Sequence, residues 1–136
     1  MKPPVTAQLV WERDLVFKGR SGQASIVLDG DSAAGPSPVQ TLVFALAGCM
    51  AMDVVHVLKK GRHPLQALTV SLTATRAQAD PHRLLTAELQ FAVTGAVPEA
   101  AVQHAIDLSR EKYCSVWHSL RQDIALTTRV SITASV

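Results

Sequence analysis

The sequence predicts an α+β fold, and three observations predict it. Segments in which apolar and polar residues alternate occur at the C-terminal end and twice in the middle of the chain, with shorter ones at the N-terminal end; a period of two is that of a half-buried strand. One run, residues 38–60, is apolar nearly all round and long enough for a helix. A further run from Pro98 to about residue 112 is apolar on one helical face only. At 136 residues the chain has the length of a single domain, spanning 1–136, and at 48% apolar and 18% charged residues it has the composition of a globular one.

Taken in order, the N-terminal part predicts short strands over 7–12, 15–18 and 23–28, with Gly19-Arg-Ser-Gly22 as a tight turn between the last two. Ser37, Pro38 and Gln40 then read as N-cap, N1 and N3 of a helix, the reciprocal capping arrangement that satisfies two orphan backbone donors. Gly61 reads as its C-terminal stop, with Pro64 beyond. A hairpin follows. Leu68, Val70, Leu72 and Ala74 alternate with polar residues, as do Ala87, Leu89, Phe91 and Val93, and the link 78–83 carries turn residues. The second helix turns Val102, Ala105, Ile106 and Leu108 inward. In the last strand Ile124, Leu126, Val130, Ile132, Ala134 and Val136 share one face, broken only by Thr128.

The long helix needs cover on every side, more than a chain of this size supplies from its own sheet. Ala45, Ala47, Gly48 and Ala51 suit close approach of another helix, so a homodimer is expected. Asp53 and His56 lie well inside the run and oppose a membrane-spanning reading. A net charge of +2 gives no reason to expect nucleic acid, and the basic group Lys59, Lys60, Arg62 and His63 suits a helix C-terminus. The start has no apolar leader-like stretch, which points to a cytoplasmic location, where a disulfide would be transient and catalytic.

Cys49 and Cys114 are the only cysteines. Cys49 sits in the apolar helix, where burial raises a thiol's pKa, and too far from the N-terminus for the helix dipole to oppose this. Cys114 follows Arg110, Lys112 and Tyr113 and precedes His118, a sequence that predicts a positive, partly exposed setting. Asp53 and His56 share the helix face of Cys49, and the preferred reading has them bonding across the dimer. With Cys114 and His118 these residues also offer donors for zinc, although no standard zinc spacing is present, and no metal or cofactor is expected.

Gly35-Pro-Ser-Pro leading into an apolar helix that carries Leu46-Ala-Gly-Cys49, followed by Glu111-Lys-Tyr-Cys114-Ser and a last long strand, resembles the OsmC/Ohr family of thiol-dependent hydroperoxidases. The resemblance covers almost the whole chain. It implies an intertwined homodimer with antiparallel sheets around long buried central helices, and reduction of organic hydroperoxides in oxidative-stress defence. It assigns Cys49 as the peroxidatic cysteine, Cys114 as the resolving one, and Arg20 as the arginine that stabilises thiolate and peroxide. An external dithiol, a lipoyl group in one branch of the family, would reduce the disulfide. The family's glutamate beside the first helical proline is replaced here by Val39, with Gln40 next. Glu111 and Glu12 are the candidate substitutes, and Gln40 has its capping role. The departure leaves an alternative open: a catalytically weak binding protein for a small apolar or electrophilic ligand at the dimer interface.

Overall fold

The computed structural model describes residues 1–134 and contains six strands and three α-helices. Its contacts group into two compact units, Met1–Leu42 and Val43–Val136.

The first unit is a three-stranded antiparallel meander: β1 (Gln8–Arg13), β2 (Val16–Ser21) and β3 (Ala24–Asp29). Its two turns are two residues long. Asp14 takes φ 46° in the first, and Gly22 takes φ 58° in the second, the left-handed backbone that short hairpin turns demand. The turn between β2 and β3 is therefore Gly22-Gln23. Gly19 and Arg20, expected at a hairpin tip, are instead inside β2, with Arg20 paired to Gln8 and Ser25. Gly19 is buried in the sheet, and an added Cβ would come within 3.0 Å of Leu9 and Ile26 side chains. That close packing makes it a strand residue rather than a turn residue. Every residue of β1 is exposed, including Leu9, Val10 and Trp11.

After β3 the chain folds over the Asp29 carboxylate, which accepts N–H bonds from Asp31 (2.9 Å), Ala33 (3.2 Å) and Ala34 (2.8 Å). Those donors, Ala34 first, hold its pKa below the ordinary value. Gly35 lies against the Val27 carbonyl, where a side chain would collide. The loop delivers Ser37 as the N-cap of α1 (Pro38–Lys60). Ser37 Oγ accepts from Gln40 N–H at 3.1 Å while Gln40 Oε1 accepts from Ser37 N–H at 2.9 Å, closing the capping box the sequence predicts. At the other end Arg62 donates to the Lys59 carbonyl and His63 to that of Leu58, the paired bonds of a Schellman stop. Arg62 (φ 60°), not Gly61, occupies the left-handed position.

The unit boundary falls inside α1. In the second unit α1 buries one stripe, Leu46, Met50, Val54 and Leu58, with i, i+4 spacing. The helix expected to be buried is thus covered on one side by its own chain, while Phe44 and Met52 remain 68% and 73% exposed. By length and composition α1 could cross a membrane, but its buried stripe belongs to a packed core that also holds Leu89, Phe91, Val102 and Ile106.

The second sheet has the order β4-β5-β6: β4 (Ala67–Arg76), β5 (Leu84–Thr94) and β6 (Ala125–Thr133). β4 and β5 form the expected antiparallel hairpin, but β5 and β6 are parallel, in register from Thr86↔Ala125 to Thr94↔Thr133. The expectation of wholly antiparallel sheets is corrected here. α2 (Glu99–Leu108) separates β5 from β6 and packs against β6, so β5–α2–β6 is a crossover that returns the chain to the same end of the sheet. β6 turns Leu126, Thr128, Val130 and Ile132 to its covered face, as the alternation predicts. Ala134 lies beyond the strand, and Ser135 and Val136 lie outside the described residues.

Candidate functional site: a cysteine pair with an aspartate

The second helix does not run uninterrupted to Lys112. After Leu108 the backbone widens into a π-helical turn, Ser109–Tyr113, closed by a bond from Cys114 N–H to the Ser109 carbonyl at 2.8 Å. Such turns occur often at functional sites because the additional residue re-aims the chain beyond the turn. Here Cys114 leaves the turn in an extended conformation and caps the short helix α3 (Ser115–His118), its Sγ accepting the Trp117 N–H at 3.3 Å.

This geometry brings Cys114 to Cys49. The two sulfurs and a carboxylate oxygen of Asp53 all lie within 4.8 Å of one another, and both cysteines are free thiols. Asp53 follows Cys49 by four residues, one turn along α1 on the same face. Its Oδ2 accepts a 2.7 Å hydrogen bond from the Oγ of Ser109, the first residue of the π-helical turn. Ser109 is completely buried, and so is Cys114. The bond to Ser109 lies within the chain, whereas the sequence favours a bond from Asp53 across a dimer. Neither Ser109 nor the role of the π-helical turn is visible in the sequence, since a wider turn leaves no periodic signature.

The burial of the two thiols is the reverse of the expected one. Cys49 is half-buried, whereas Cys114, expected in a positive and partly exposed setting, is fully buried. Desolvation pushes the Cys114 thiol up to about 11, with Cys49 and Asp53 pushing the same way and the Trp117 N–H opposing them. The expected cations are engaged elsewhere. Arg110 donates to the Leu126 carbonyl at 3.0 Å and lies 5.9 Å from the Trp117 ring, and Lys112 lies over Tyr113. His118 Nε2 is 2.9 Å from the Arg110 carbonyl. The sequence order of these residues is positive, but each of the three is engaged by a carbonyl or an aromatic ring.

Glu111 is exposed and outside the cluster, and among the described residues no ion pair engages it. Asp53 is the carboxylate beside the sulfurs. In the first unit, Arg20 is exposed on β2, and Glu12 pairs with Lys18 at 3.1 Å. Gln40 is committed to the capping box and to Ser32 Oγ, 2.9 Å away. His56 lies beside Asp53 on the wall of a cavity of about 520 Å³, with Lys60, Leu108 and Tyr113. An open apolar groove of about 660 Å³ follows the uncovered face of α1, lined by Phe44, Met52, Leu68 and Val70 among others.

Residues 29–129 match the model of the OsmC-like protein family. Protein YhfA of Escherichia coli K12 is 38% identical over 132 residues, which cover 95% of this chain and 98% of YhfA. Among solved structures, a protein from Aquifex aeolicus VF5 superposes with a TM-score of 0.91 at 24% identity, covering 99% of this chain and all of that one. An organic hydroperoxide resistance protein OsmC from Legionella pneumophila shares the fold with a TM-score of 0.70 at 13% identity, covering 95% of this chain and 97% of its own.

Proposed function

The chain belongs to the OsmC-like family, and from that premise we propose that it is a thiol-dependent peroxidase that reduces organic hydroperoxides. The observation that carries this reading is the juxtaposition of two free thiols, Cys49 and Cys114, from distant parts of the chain. The half-buried Cys49 is the thiol that meets the peroxide. Its thiolate attacks the O–O bond, the departing alkoxide takes up the proton that the thiol gave up and leaves as an alcohol, and a sulfenic acid remains on Cys49. Cys114 then attacks that sulfur, a disulfide forms, and water leaves with the proton that Cys114 gives up. An external dithiol, of which a lipoyl group is one kind, reduces the disulfide by exchange. The chemistry suits a reducing cytoplasm.

The family resemblance assigns thiolate stabilisation to Arg20, whose guanidinium stays charged when desolvated. Asp53 replaces Glu111 as the carboxylate assigned to the cysteine pair. A second copy of the chain covers the apolar groove along α1, making a homodimer. Phe44 and Met52, exposed on one chain, support this. Phe44→Glu together with Met52→Glu should convert a dimer to a monomer in analytical ultracentrifugation, whereas a wild-type monomer would contradict the assembly. The commitment of Gln40 to capping favours a second reading, a ligand-binding protein of the same fold with little turnover.

Free-thiol titration after one equivalent of cumene hydroperoxide tests the first reading. Wild type should lose both thiols and regain them with dihydrolipoate, and Cys49→Ser should keep its remaining thiol. Persistence of both thiols in wild type after prolonged exposure would favour the ligand-binding reading.

A further inference from the structure

We propose that Cys49, Asp53 and Cys114 form a site for one thiophilic divalent cation of the zinc type, with a fourth coordination position open. Two sulfurs and a carboxylate oxygen lie within 4.8 Å of one another. A tetrahedral zinc ion holds such donors at about 2.0–2.3 Å, which places them roughly 3.3–3.8 Å apart. The cluster therefore has to contract by no more than about 1.5 Å, within the reach of side-chain rotations.

Two features suit a binding site better than a chance grouping. The first is an outer set of hydrogen bonds. Ser109 Oγ fixes Oδ2 of Asp53 at 2.7 Å, and the Trp117 N–H fixes Cys114 Sγ at 3.3 Å. Groups that orient ligands in this way are a regular part of metal centres. The second is the donor set. Two sulfurs select zinc and softer cations over magnesium and calcium, which require oxygen ligands in larger number. Each thiol gives up a proton on binding, and the dication offsets most of the resulting negative charge. The histidines that the sequence offers for zinc are not needed. His118 has its ring at the Arg110 carbonyl, and His56 is exposed.

The site uses the side chains assigned to the peroxidase reading but does not rest on that activity. Where both hold, they exclude one another in time. A hydroperoxide and two protons convert the zinc-bound thiolate pair to a disulfide, an alcohol, water and a released zinc ion. Two of the three ligands are then gone, so oxidation would expel the cation, and the bound cation would shield the thiols.

The test uses reduced, untagged, chelator-treated protein, titrated with cadmium while thiolate charge-transfer absorbance is followed, and with zinc in competition with a chromophoric chelator. One cation per chain is expected. Cys49→Ser and Cys114→Ser should each lose most of the charge-transfer band. Ser109→Ala should weaken zinc binding about 10–100-fold while leaving the cysteines in place, and His118→Ala should leave it unchanged. No saturable binding at one per chain, or binding unaltered in Cys49→Ser, would overturn the site. Circular dichroism of each variant separates lost binding from lost folding, and Ser109→Ala decides the matter if Cys114→Ser does not fold. Cation binding without peroxide-driven thiol loss would leave this site standing and remove the peroxidase. Thiol loss without cation binding would do the reverse.

Discussion

Cys49 and Cys114 lie within 4.8 Å of each other yet occupy different kinds of surroundings. Cys49 is on the side of a regular helix and half-buried. Cys114 is at the end of a π-helical turn, completely buried, its sulfur already holding the Trp117 N–H. Access is thus distributed unequally. A reagent from solution reaches Cys49 first, whereas burial pushes the Cys114 thiol up to about 11 and keeps it protonated at pH 7. The difference assigns an order. Cys114 suits an attack on a sulfur already delivered to it, because intramolecular placement makes up for a small thiolate fraction.

The largest expected effect is on labelling. With iodoacetamide at neutral pH and peptide mapping by mass spectrometry, Cys49 should be modified well before Cys114. The rate at Cys114 should rise about tenfold per pH unit towards its pKa of about 11. Equal rates at the two sites at pH 7 would contradict the difference in access between the two thiols. The same burial has a consequence for stability. The pKa of Cys114 is raised above its ordinary value of 9.0, so between 9.0 and about 11 the folded state holds a proton that the unfolded chain has lost. In chelator-treated protein this contribution is complete below pH 9.0 and disappears as pH rises towards 11. Urea unfolding of wild type against Cys114→Ala over that range should show the two curves converging.

A smaller effect is expected from Ser109→Ala, which removes the bond that ties the π-helical turn to Asp53 on α1. Loss of a hydrogen bond to a carboxylate costs about 1–3 kcal/mol, measurable in urea unfolding. An unchanged midpoint would mean that the turn holds Cys114 in place without that tie.

The sequence makes most elements legible because their periods are strong. The alternation in β4, β5 and β6 and the capping residues Ser37 and Gln40 specify strands and a helix start that the structure reproduces. Local patterns carry less information about direction and position. Nothing in β6 itself states that it runs parallel to β5, because alternation is the same in either direction. Gly19-Arg-Ser-Gly22 contains two glycines, and only packing against Leu9 and Ile26 decides that the first belongs to the strand. At the site, the two cysteines and Asp53 are visible as residues, but the inversion of their burial is not. Cys114 is buried at the end of the wider turn 109–113, while Arg110, Lys112 and His118 are engaged by carbonyls or aromatic rings.

The order assigned to the two thiols is tested most directly by trapping the first oxidation product. Each single variant, Cys114→Ser and Cys49→Ser, is treated with one equivalent of cumene hydroperoxide in the presence of dimedone and analysed by mass spectrometry. A dimedone adduct on Cys49 in Cys114→Ser, with none on Cys114 in Cys49→Ser, is the predicted result. An adduct on Cys114 in Cys49→Ser, with Cys49 unmodified in the other variant, would contradict it.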